Sequence, residues 1–325
     1  MADRLRVGFL LCNSCRIFSY TVDRMGLCPG RDPPATIQGD NTMAIFTNRA
    51  TLSYNGRSVD SNTVTGTILE TLSMTKTALS DTYTAGETVT YAVALINSGT
   101  TALTGLSVSD DLGAFDFGGT VLYPLAYVPG SVLSYVNGVL QPAPVPEQTQ
   151  PLSFGNLSVP AGGNAVLIYA AEVTDAAPLG VNAQITNTAT VSGNGVPEPI
   201  SDSATVTTAD QPMLSITKAL SPTSVTENGT VTYTFVIQNF GNTAAVATDN
   251  LQVTDTFDPV LDISSVTLDG VVLTEGTGYV YNAATGEFAT VTSVITVPAA
   301  TFVRGADGTV TVTPGESTLI VSGTI

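Results

Sequence analysis

The strongest constraint on the fold is a short segment that occurs twice in the chain. Residues 46–68 read FTNRATLSYNGRSVDSNTVTGTI, and residues 185–208 read ITNTATVSGNGVPEPISDSATVTT. Asn55-Gly56 is the strongest short-range signal for a β-hairpin turn. We therefore predict that residues 46–68 form two short strands joined at Asn55-Gly56. The second copy closes a domain, whereas no domain precedes the first copy.

A longer internal repeat includes the second copy. Each repeat has an opening strand, a strongly alternating strand, an Asn-x-Gly turn, a strand ending in Asp and a late apolar strand. These parts are residues 72–76, 86–93, 97–99, 106–110 and 165–169 in the first repeat, and 214–218, 229–236, 239–241, 251–255 and 317–321 in the second. Only the first repeat continues into the closing hairpin. We predict a leader (1–42), an N-terminal donor β-hairpin (43–70), a complete repeat (71–210) and a repeat without its closing hairpin (211–325).

The spacing of strands and turns predicts the fold class. The chain has 30 Gly and 18 Pro among 325 residues, and its hydrophobic residues alternate along short segments. No unbroken apolar run is long enough to span a membrane, although mean hydropathy is +0.28. We predict an all-β protein of tandem immunoglobulin-like β-sandwich domains with an extra N-terminal β-hairpin.

Composition excludes several classes of function. A net charge of −17 argues against binding to nucleic acid or to anionic membranes, and favours a soluble surface protein. The chain has no His and no glycine-rich phosphate loop, so we expect neither an enzyme acting on an external substrate nor a cofactor. Asp110, Asp111 and Asp116 form at most a weak Ca²⁺ site, because such acids are more often solvated loop residues.

The first 42 residues differ from the rest. They contain all three cysteines (Cys12, Cys15 and Cys28) and five of the eight arginines, and they match neither repeat. Cys12-x-x-Cys15 is a weak metal or redox signal, because no second pair completes a site. A crosslinking leader is one interpretation. The favoured one is that translation starts at Met43 and that this segment is not part of the protein. No convincing signal peptide is present, so the export route stays open.

Strand parity places three polar residues on apolar faces. Side chains alternate between the two faces of a strand, so Lys76 shares a face with Leu72 and Met74, and Asp110 shares one with Leu106 and Val108. By the same parity, Asn187 shares a face with three apolar residues: Ile185, Ala189 and Val191. Lys76 and Lys218 are the only lysines of the chain and stand at equivalent positions. An isolated buried charge is costly, so these groups are expected to be paired or neutral.

These residues carry a family resemblance. The pattern Lys76, Gly86-x-x-Val89-x-Tyr91, Asn97-x-Gly99, Val108-x-Asp110 and Asn187-Thr188-Ala189-Thr190-Val191 resembles the bacterial surface-protein repeat known as domain of unknown function eleven. It is also similar to the isopeptide-forming (Cna-like) immunoglobulin-fold domains of Gram-positive fimbrial proteins. The resemblance covers nearly everything after Met43, and it is more specific for fold than for function.

A Lys, an Asp and an Asn on facing apolar surfaces are the set that forms a spontaneous isopeptide bond. Burial lowers the pKa of the Lys and gives a neutral amine, which attacks the Asn carboxamide and releases ammonia. Burial also favours the protonated Asp, which polarises the carboxamide as catalyst. We predict a Lys76–Asn187 bond with Asp110 as catalyst. The alternatives are a buried ion pair with Asn187 as a hydrogen-bond partner, or a Lys that reaches solvent at its strand end.

The second repeat has Lys218 and Asp255 but no equivalent of Asn187. The N-terminal hairpin supplies a matching Asn48. By strand parity it shares one face with Phe46, Ala50 and Leu52, as Asn187 shares one with Ile185, Ala189 and Val191. We hypothesise that this hairpin inserts into the second repeat of another copy, where Asn48 reacts with Lys218 and Asp255 catalyses. The protein would then be a self-assembling subunit of an extracellular or cell-surface fibre or pilus, with other copies of itself as head-to-tail partners.

Other interpretations stay open at this point. The hairpin could fold back on its own second repeat. Against this, it runs almost directly into the first repeat, and the open end of the second repeat should lie a domain length away. The chain could also be an adhesin stalk or a fragment of a longer repeat protein. The sequence identifies no host or surface ligand.

Overall fold

The computed structural model describes residues 44–68 and 71–325. The predicted leader and the start at Met43 lie outside these residues. The described chain is built from β-strands, with one short 3-10 helix at Ala247–Asp249. No helix in these two ranges has the length and apolar character needed to cross a membrane.

The N-terminal hairpin has four strand segments instead of the two that we predicted. They are β1 (Ala44–Asn48), β2 (Thr51–Tyr54), β3 (Arg57–Asp60) and β4 (Val64–Ile68). Asn55 and Gly56 join β2 to β3 with φ of 47° and 72°, as a two-residue hairpin turn requires. The register changes between the halves, since Asn48 pairs with Val64 but Thr51 pairs with Asp60. This irregularity divides one long hairpin into two ladders. Residues 47–65 are exposed.

The first sandwich contains two six-stranded sheets around one core. One sheet has the order β13-β12-β16-β7-β5, with β11 also on β16, and the other has the order β14-β15-β8-β17-β18-β6. Tyr91, Phe154 and Tyr169 are among its fully buried side chains. The strands are β5 (Leu72–Ala78), β6 (Thr82–Tyr83), β7 (Thr88–Asn97), β8 (Leu103–Asp110), β9 (Phe115–Phe117), β10 (Thr120–Leu122), β11 (Leu125–Tyr127), β12 (Leu133–Val136), β13 (Val139–Gln141), β14 (Gln148–Thr149), β15 (Leu152–Val159), β16 (Asn164–Val173), β17 (Gln184–Gly193) and β18 (Ile200–Thr208).

The second sandwich has one full sheet and a reduced opposite layer. The full sheet has the order β19-β20-β28-β22-β23, whereas the opposite side has β21-β25-β24 and the separate hairpin β26-β27. Its strands are β19 (Leu214–Ser221), β20 (Thr230–Asn239), β21 (Thr254–Thr256), β22 (Asp262–Leu268), β23 (Val271–Val272), β24 (Tyr279–Asn282), β25 (Glu287–Thr290), β26 (Thr301–Arg304), β27 (Val310–Thr313) and β28 (Gly315–Thr324).

The predicted strand at residues 251–255 is therefore wrong in its extent. The structure has a strand only at Thr254–Thr256. Its counterpart β8 pairs with β15 on one side and with β17 on the other. Strand β21 pairs with β25 alone among the described residues. A ladder on one edge leaves half of the strand's backbone groups unpaired, so the extended segment is shorter.

Both Asn-x-Gly turns have a structural role. Asn97 is fully buried, and its carboxamide donates to the carbonyl oxygens of Thr101 at 2.9 Å and Pro160 at 3.1 Å while accepting the Gly99 N–H at 2.9 Å. Asn239 repeats this arrangement in the second sandwich. Each Asn thus satisfies backbone groups that a turn would otherwise leave unpaired in the interior.

The hairpin β26-β27 of the second sandwich packs against the first. Phe302, Val310 and Val312 contact the core of the first sandwich. Arg304 donates from its guanidinium to the carbonyl oxygen of Ala176 at 3.1 Å and lies 5.3 Å from the ring centre of Phe115. The two sandwiches are therefore joined by an apolar contact and an anchored cation as well as by the chain.

Candidate functional site

The first sandwich collects one buried polar cluster between its two sheets. Strand β5 contributes Lys76, the end of β8 contributes Asp110, and β17 contributes Asn187. All three are at most 3% exposed. They are buried because each occupies an inward position of an alternating strand, as the burial pattern of β5 shows.

Lys76 forms an ion pair with Asp110 inside the sandwich. Its ammonium also lies 4.9 Å from the centre of the Tyr91 ring. Loss of hydration lowers the pKa of Lys76, and the opposing attraction of Asp110 does not cancel this effect. The same burial that makes the ion pair costly therefore favours the uncharged amine, the form that acts as a nucleophile.

The carboxyl group of Asp110 is held at both oxygens. Oδ1 accepts the backbone N–H of Leu112 at 2.9 Å, and Oδ2 contacts the Lys76 ammonium. The Tyr169 hydroxyl donates to the same Oδ2. The pKa of Tyr169 is raised well above its ordinary value, first by burial and then by the charge of Asp110. The Asp110 carboxyl group is thus held in a fixed position beside the Lys76 side chain.

Asn187 is the unsatisfied member of the cluster. It is fully buried, and neither its carboxamide oxygen nor its nitrogen has a hydrogen-bond partner among the described residues. Its place beside the other two follows from register, because Asp110 pairs with Ala189, two positions along β17 on the same face. Burial raises the pKa of Tyr91, Asp110 adds to this, and the adjacent Asn187 opposes it. An unbonded buried carboxamide costs about 1–3 kcal/mol per group, so it needs an explanation.

The arrangement combines three chemical roles. Lys76 is an amine with a lowered pKa, Asp110 is a carboxyl group paired with it, and Asn187 is a carboxamide without a hydrogen-bond partner among the described residues. The weak Ca²⁺ alternative has no support here: the described residues contain no cluster of acidic side chains suited to a metal ion. Asp110 is paired with Lys76, and Asp111 accepts the backbone N–H groups of Gly113 and Thr188.

Sequence reasoning missed two residues of the site. Tyr169 belongs to an inward-facing series of β16 with Ala165 and Leu167, so parity could have placed its side chain in the interior. Asp202 accepts the backbone N–H of Lys76 at 2.7 Å, a contact between strands 126 positions apart. No local pattern indicates such a contact. Tyr91 was part of the family pattern, but its position under the Lys76 ammonium was not expected.

The second sandwich contains an open version of the same cluster. Lys218 pairs with Asp255, and its ammonium lies 4.6 Å from the Tyr233 ring centre, as Lys76 lies over Tyr91. The Lys218 side chain is 40% exposed, whereas that of Lys76 is inaccessible. The counterpart of Tyr169 is Val321, because Val321 pairs with Tyr233 and Tyr169 pairs with Tyr91. Valine has no hydroxyl group, so this position gives Asp255 no hydrogen-bond donor.

An apolar groove lies beside this open site. In the first sandwich β17 and β18 cover β5, and Leu72 and Met74 are 6% and 7% exposed. Their counterparts Leu214 and Ile216 are 42% and 54% exposed, and every residue of β19 is exposed. A groove of about 190 Å³ runs between β19 and the segment before β21, lined by Leu214, Ile216, Ile237, Leu251, Val253 and Ile295.

Asn48 lies elsewhere, on the exposed N-terminal hairpin. It ends β1, and no hydrogen bond or ion pair among the described residues joins it to Lys218 or Asp255. Leu52 on the same hairpin is 66% exposed. The structure therefore assembles Lys76, Asp110 and Asn187 in one cluster and Lys218 with Asp255 in another, and it leaves Asn48 apart from both.

Comparisons with known proteins show low similarity. No protein-family model and no curated protein matches the chain, so the resemblance to domain of unknown function eleven stays a prediction. Among solved structures, the chain is similar to the pilus backbone RrgB from Streptococcus pneumoniae, with 13% identity over 78% of this chain and 50% of that chain, and a TM-score of 0.30. The matched region thus spans half of the RrgB chain.

Two further structures give similar values. BcpA, the major pilin subunit of Bacillus cereus, matches with 11% identity, 83% coverage of this chain, 73% of that chain and a TM-score of 0.32. A type II cohesin dyad from the ScaA scaffoldin of Acetivibrio cellulolyticus matches with 12% identity, 78% and 84% coverage and a TM-score of 0.21. At these TM-scores, functional conclusions depend on the geometry of this chain alone.

Proposed function

We propose that this protein is a structural subunit of an extracellular or cell-surface fibre, assembling head-to-tail by donor-strand complementation. One observation carries the proposal. The second sandwich exposes, beside a Lys–Asp pair, the surface that β17 and β18 cover in the first sandwich. The same chain presents an exposed hairpin that resembles β17 and β18 in sequence and has Asn48 where β17 has Asn187.

Within each subunit, Lys76 and Asn187 form an isopeptide bond. Asp110 accepts a proton from the Lys76 ammonium, which leaves a neutral amine and a protonated carboxyl group. The Nζ atom attacks the carboxamide carbon of Asn187, a C–N bond forms, and the original C–N bond breaks. The carboxyl group passes protons to the departing nitrogen, which leaves as ammonium, so that Asp110 returns to its starting carboxylate. The lowered pKa of Lys76 and the unbonded carboxamide of Asn187 support this step.

Between subunits, Asn48 of one chain meets Lys218 of the next. Docking of the hairpin covers the Leu214 and Ile216 side chains and removes water from the Lys218–Asp255 pair. The reaction is then the same as in the first sandwich, with Asp255 in the role of Asp110. Donor and acceptor lie on different parts of the chain, so the contact is heterologous and propagates into a filament when the rotation does not close.

The test is electrophoresis of the full chain after boiling in SDS. The unaltered protein gives a ladder of multimers, and Lys218→Ala or Asn48→Ala abolishes the ladder. Asn62→Ala, on the exposed return arm of the same hairpin, is the matched control and leaves the ladder intact. A single monomer band without filaments in electron micrographs would contradict the proposal.

Intact mass separates this assembly from a hairpin that folds back on its own chain. Each bond removes one ammonia. A fold-back monomer would be lighter by two ammonia molecules and would give no ladder. A subunit that polymerises loses one ammonia internally and one for each junction.

A further inference from the structure

One contact fixes the closing hairpin of the first sandwich to the sheet that it covers. The Asp202 carboxylate in β18 accepts the backbone N–H of Lys76 in β5 at 2.7 Å. Strand β5 is an edge strand with β7 as its ladder partner, so Asp202 takes an N–H that points away from that ladder. Asp202 also pairs with Ala189, two residues from Asn187. The contact therefore sets the position of Asn187 along β5.

Asp60 is the counterpart of Asp202 in the N-terminal hairpin. Residues 60–65 read DSNTVT and residues 202–207 read DSATVT, the same pattern on the return arm of each hairpin. In the free hairpin Asp60 has different partners. Its Oδ2 forms an ion pair with Arg49, and its Oδ1 accepts the Thr51 hydroxyl at 2.7 Å. Both charged side chains are about half exposed, so water and salt compete with this pair.

The free hairpin also has a different register. Asn187 pairs with Ala204 in the closing hairpin, and the sequence counterpart of Ala204 is Asn62. In the free hairpin Asn48 pairs with Val64, two residues further along. A shift of two residues keeps every side chain on the same face, whereas a shift of one would reverse the faces. The β1–β4 half of the free hairpin is thus on the correct face but two residues out of the docked register. The β2–β3 half is out by one residue, because Asp60 pairs with Thr51, whereas its counterpart Asp202 pairs with Ala189, the counterpart of Ala50.

We propose that Asp60 is the positioning residue that sets the docked register, by exchanging Arg49 for the backbone N–H of Lys218 in the next copy of the chain. Lys218 pairs with Phe235 in the same way that Lys76 pairs with Val93. The backbone N–H of Lys218 therefore points away from β20, toward the open edge of β19. Arg49 holds Asp60 in the free state and releases it on docking. The inference rests on the proposed docking, and it names the contact that brings Asn48 to Lys218.

The test measures association without the covalent bond. Lys218→Arg keeps a positive charge and the backbone N–H but forms no isopeptide bond. In the full chain with this substitution, self-association is followed by sedimentation velocity. Adding Asp60→Asn weakens association about tenfold, because a charge-assisted hydrogen bond becomes a neutral one. Adding Arg49→Ala strengthens it, and Arg57→Ala, another exposed arginine of the hairpin, leaves it unchanged. The internal ammonia loss in every variant verifies that the first sandwich is folded.

The outcomes separate the two ideas. Two results would overturn the role of Asp60 while the docking itself stands. One is that the Lys218→Arg chain associates equally strongly with and without Asp60→Asn. The other is that Arg49→Ala weakens this association. No association of the Lys218→Arg chain, together with no ladder from the unaltered chain, overturns the docking and this inference with it.

Discussion

The Tyr169 hydroxyl donates to the same oxygen of Asp110 that the Lys76 ammonium contacts. Tyr169 therefore holds the carboxyl group from one side while Lys76 approaches from the other. In the second sandwich Val321 occupies this place, and Asp255 lacks the equivalent donor. The two Lys–Asp pairs therefore differ in the hydrogen bonds that orient the carboxyl group.

Replacing Tyr169 by Phe should slow formation of the internal bond about tenfold. The hydroxyl orients Asp110, and misplacement of a catalytic group costs rate. The measurement is intact mass against time after refolding from denaturant, and Tyr123→Phe, a half-buried tyrosine outside the cluster, is the control. A faster reaction would show instead that the hydroxyl mainly stabilises the carboxylate and hinders its protonation.

Replacing Lys76 by Ala or Asn187 by Ala should abolish the internal loss of ammonia. Lys218→Ala is the matched lysine control and keeps that loss. The bond closes a loop of about a hundred residues, for which chain entropy predicts roughly 4–5 kcal/mol of stabilisation. Thermal unfolding of Asn187→Ala should therefore begin at a markedly lower temperature. If the unaltered chain and both variants have the masses calculated from their sequences, without loss of ammonia, the cluster stays an ion pair.

Replacing Arg304 by Ala should uncouple the two sandwiches. The guanidinium bonds to the Ala176 carbonyl oxygen and lies against Phe115, so its loss removes hydrogen bonds and a cation–π contact across the junction. Calorimetry should show the unfolding of the two sandwiches separating into two transitions. Val303→Ala, an exposed neighbour on the same strand, should retain the behaviour of the unaltered chain. If the Arg304→Ala variant unfolds in one transition at the same temperature as the unaltered chain, Arg304 does not couple the two sandwiches.

Stability should fall as pH rises above about 10. Burial raises the pKa of Tyr83, Tyr91 and Tyr169 above the ordinary value of 10.0. Above that pH the unfolded chain releases protons that the folded chain retains, so the folded state binds more protons. The free energy of unfolding then decreases by about 1.4 kcal/mol per pH unit for each tyrosine.

Urea midpoints between about pH 8 and about pH 11 measure this effect. Tyr169→Phe should reduce the pH dependence of the unfolding free energy by the contribution of one proton. Tyr123→Phe is the control. Lys76 does not contribute once it is bonded to Asn187, because an amide does not titrate. A midpoint that stays constant above pH 10 would refute the burial of these hydroxyls.

The sequence by itself determined the fold class and the inward position of Lys76, Asp110 and Asn187. Period-two alternation decides which face of a strand a residue occupies, and a buried face must be apolar apart from paired groups. The Asn55-Gly56 turn was equally local, since both residues need positive φ.

Only the tertiary structure decided the contacts between distant strands. Tyr169 meets Asp110 and Asp202 meets Lys76 because sheets bring together residues 59 and 126 positions apart. The short β21 and the exposed β19 likewise depend on which edges have a partner, and strand propensity carries no information about that. Alternation places a side chain on a face, whereas the register of neighbouring strands decides which side chain it meets.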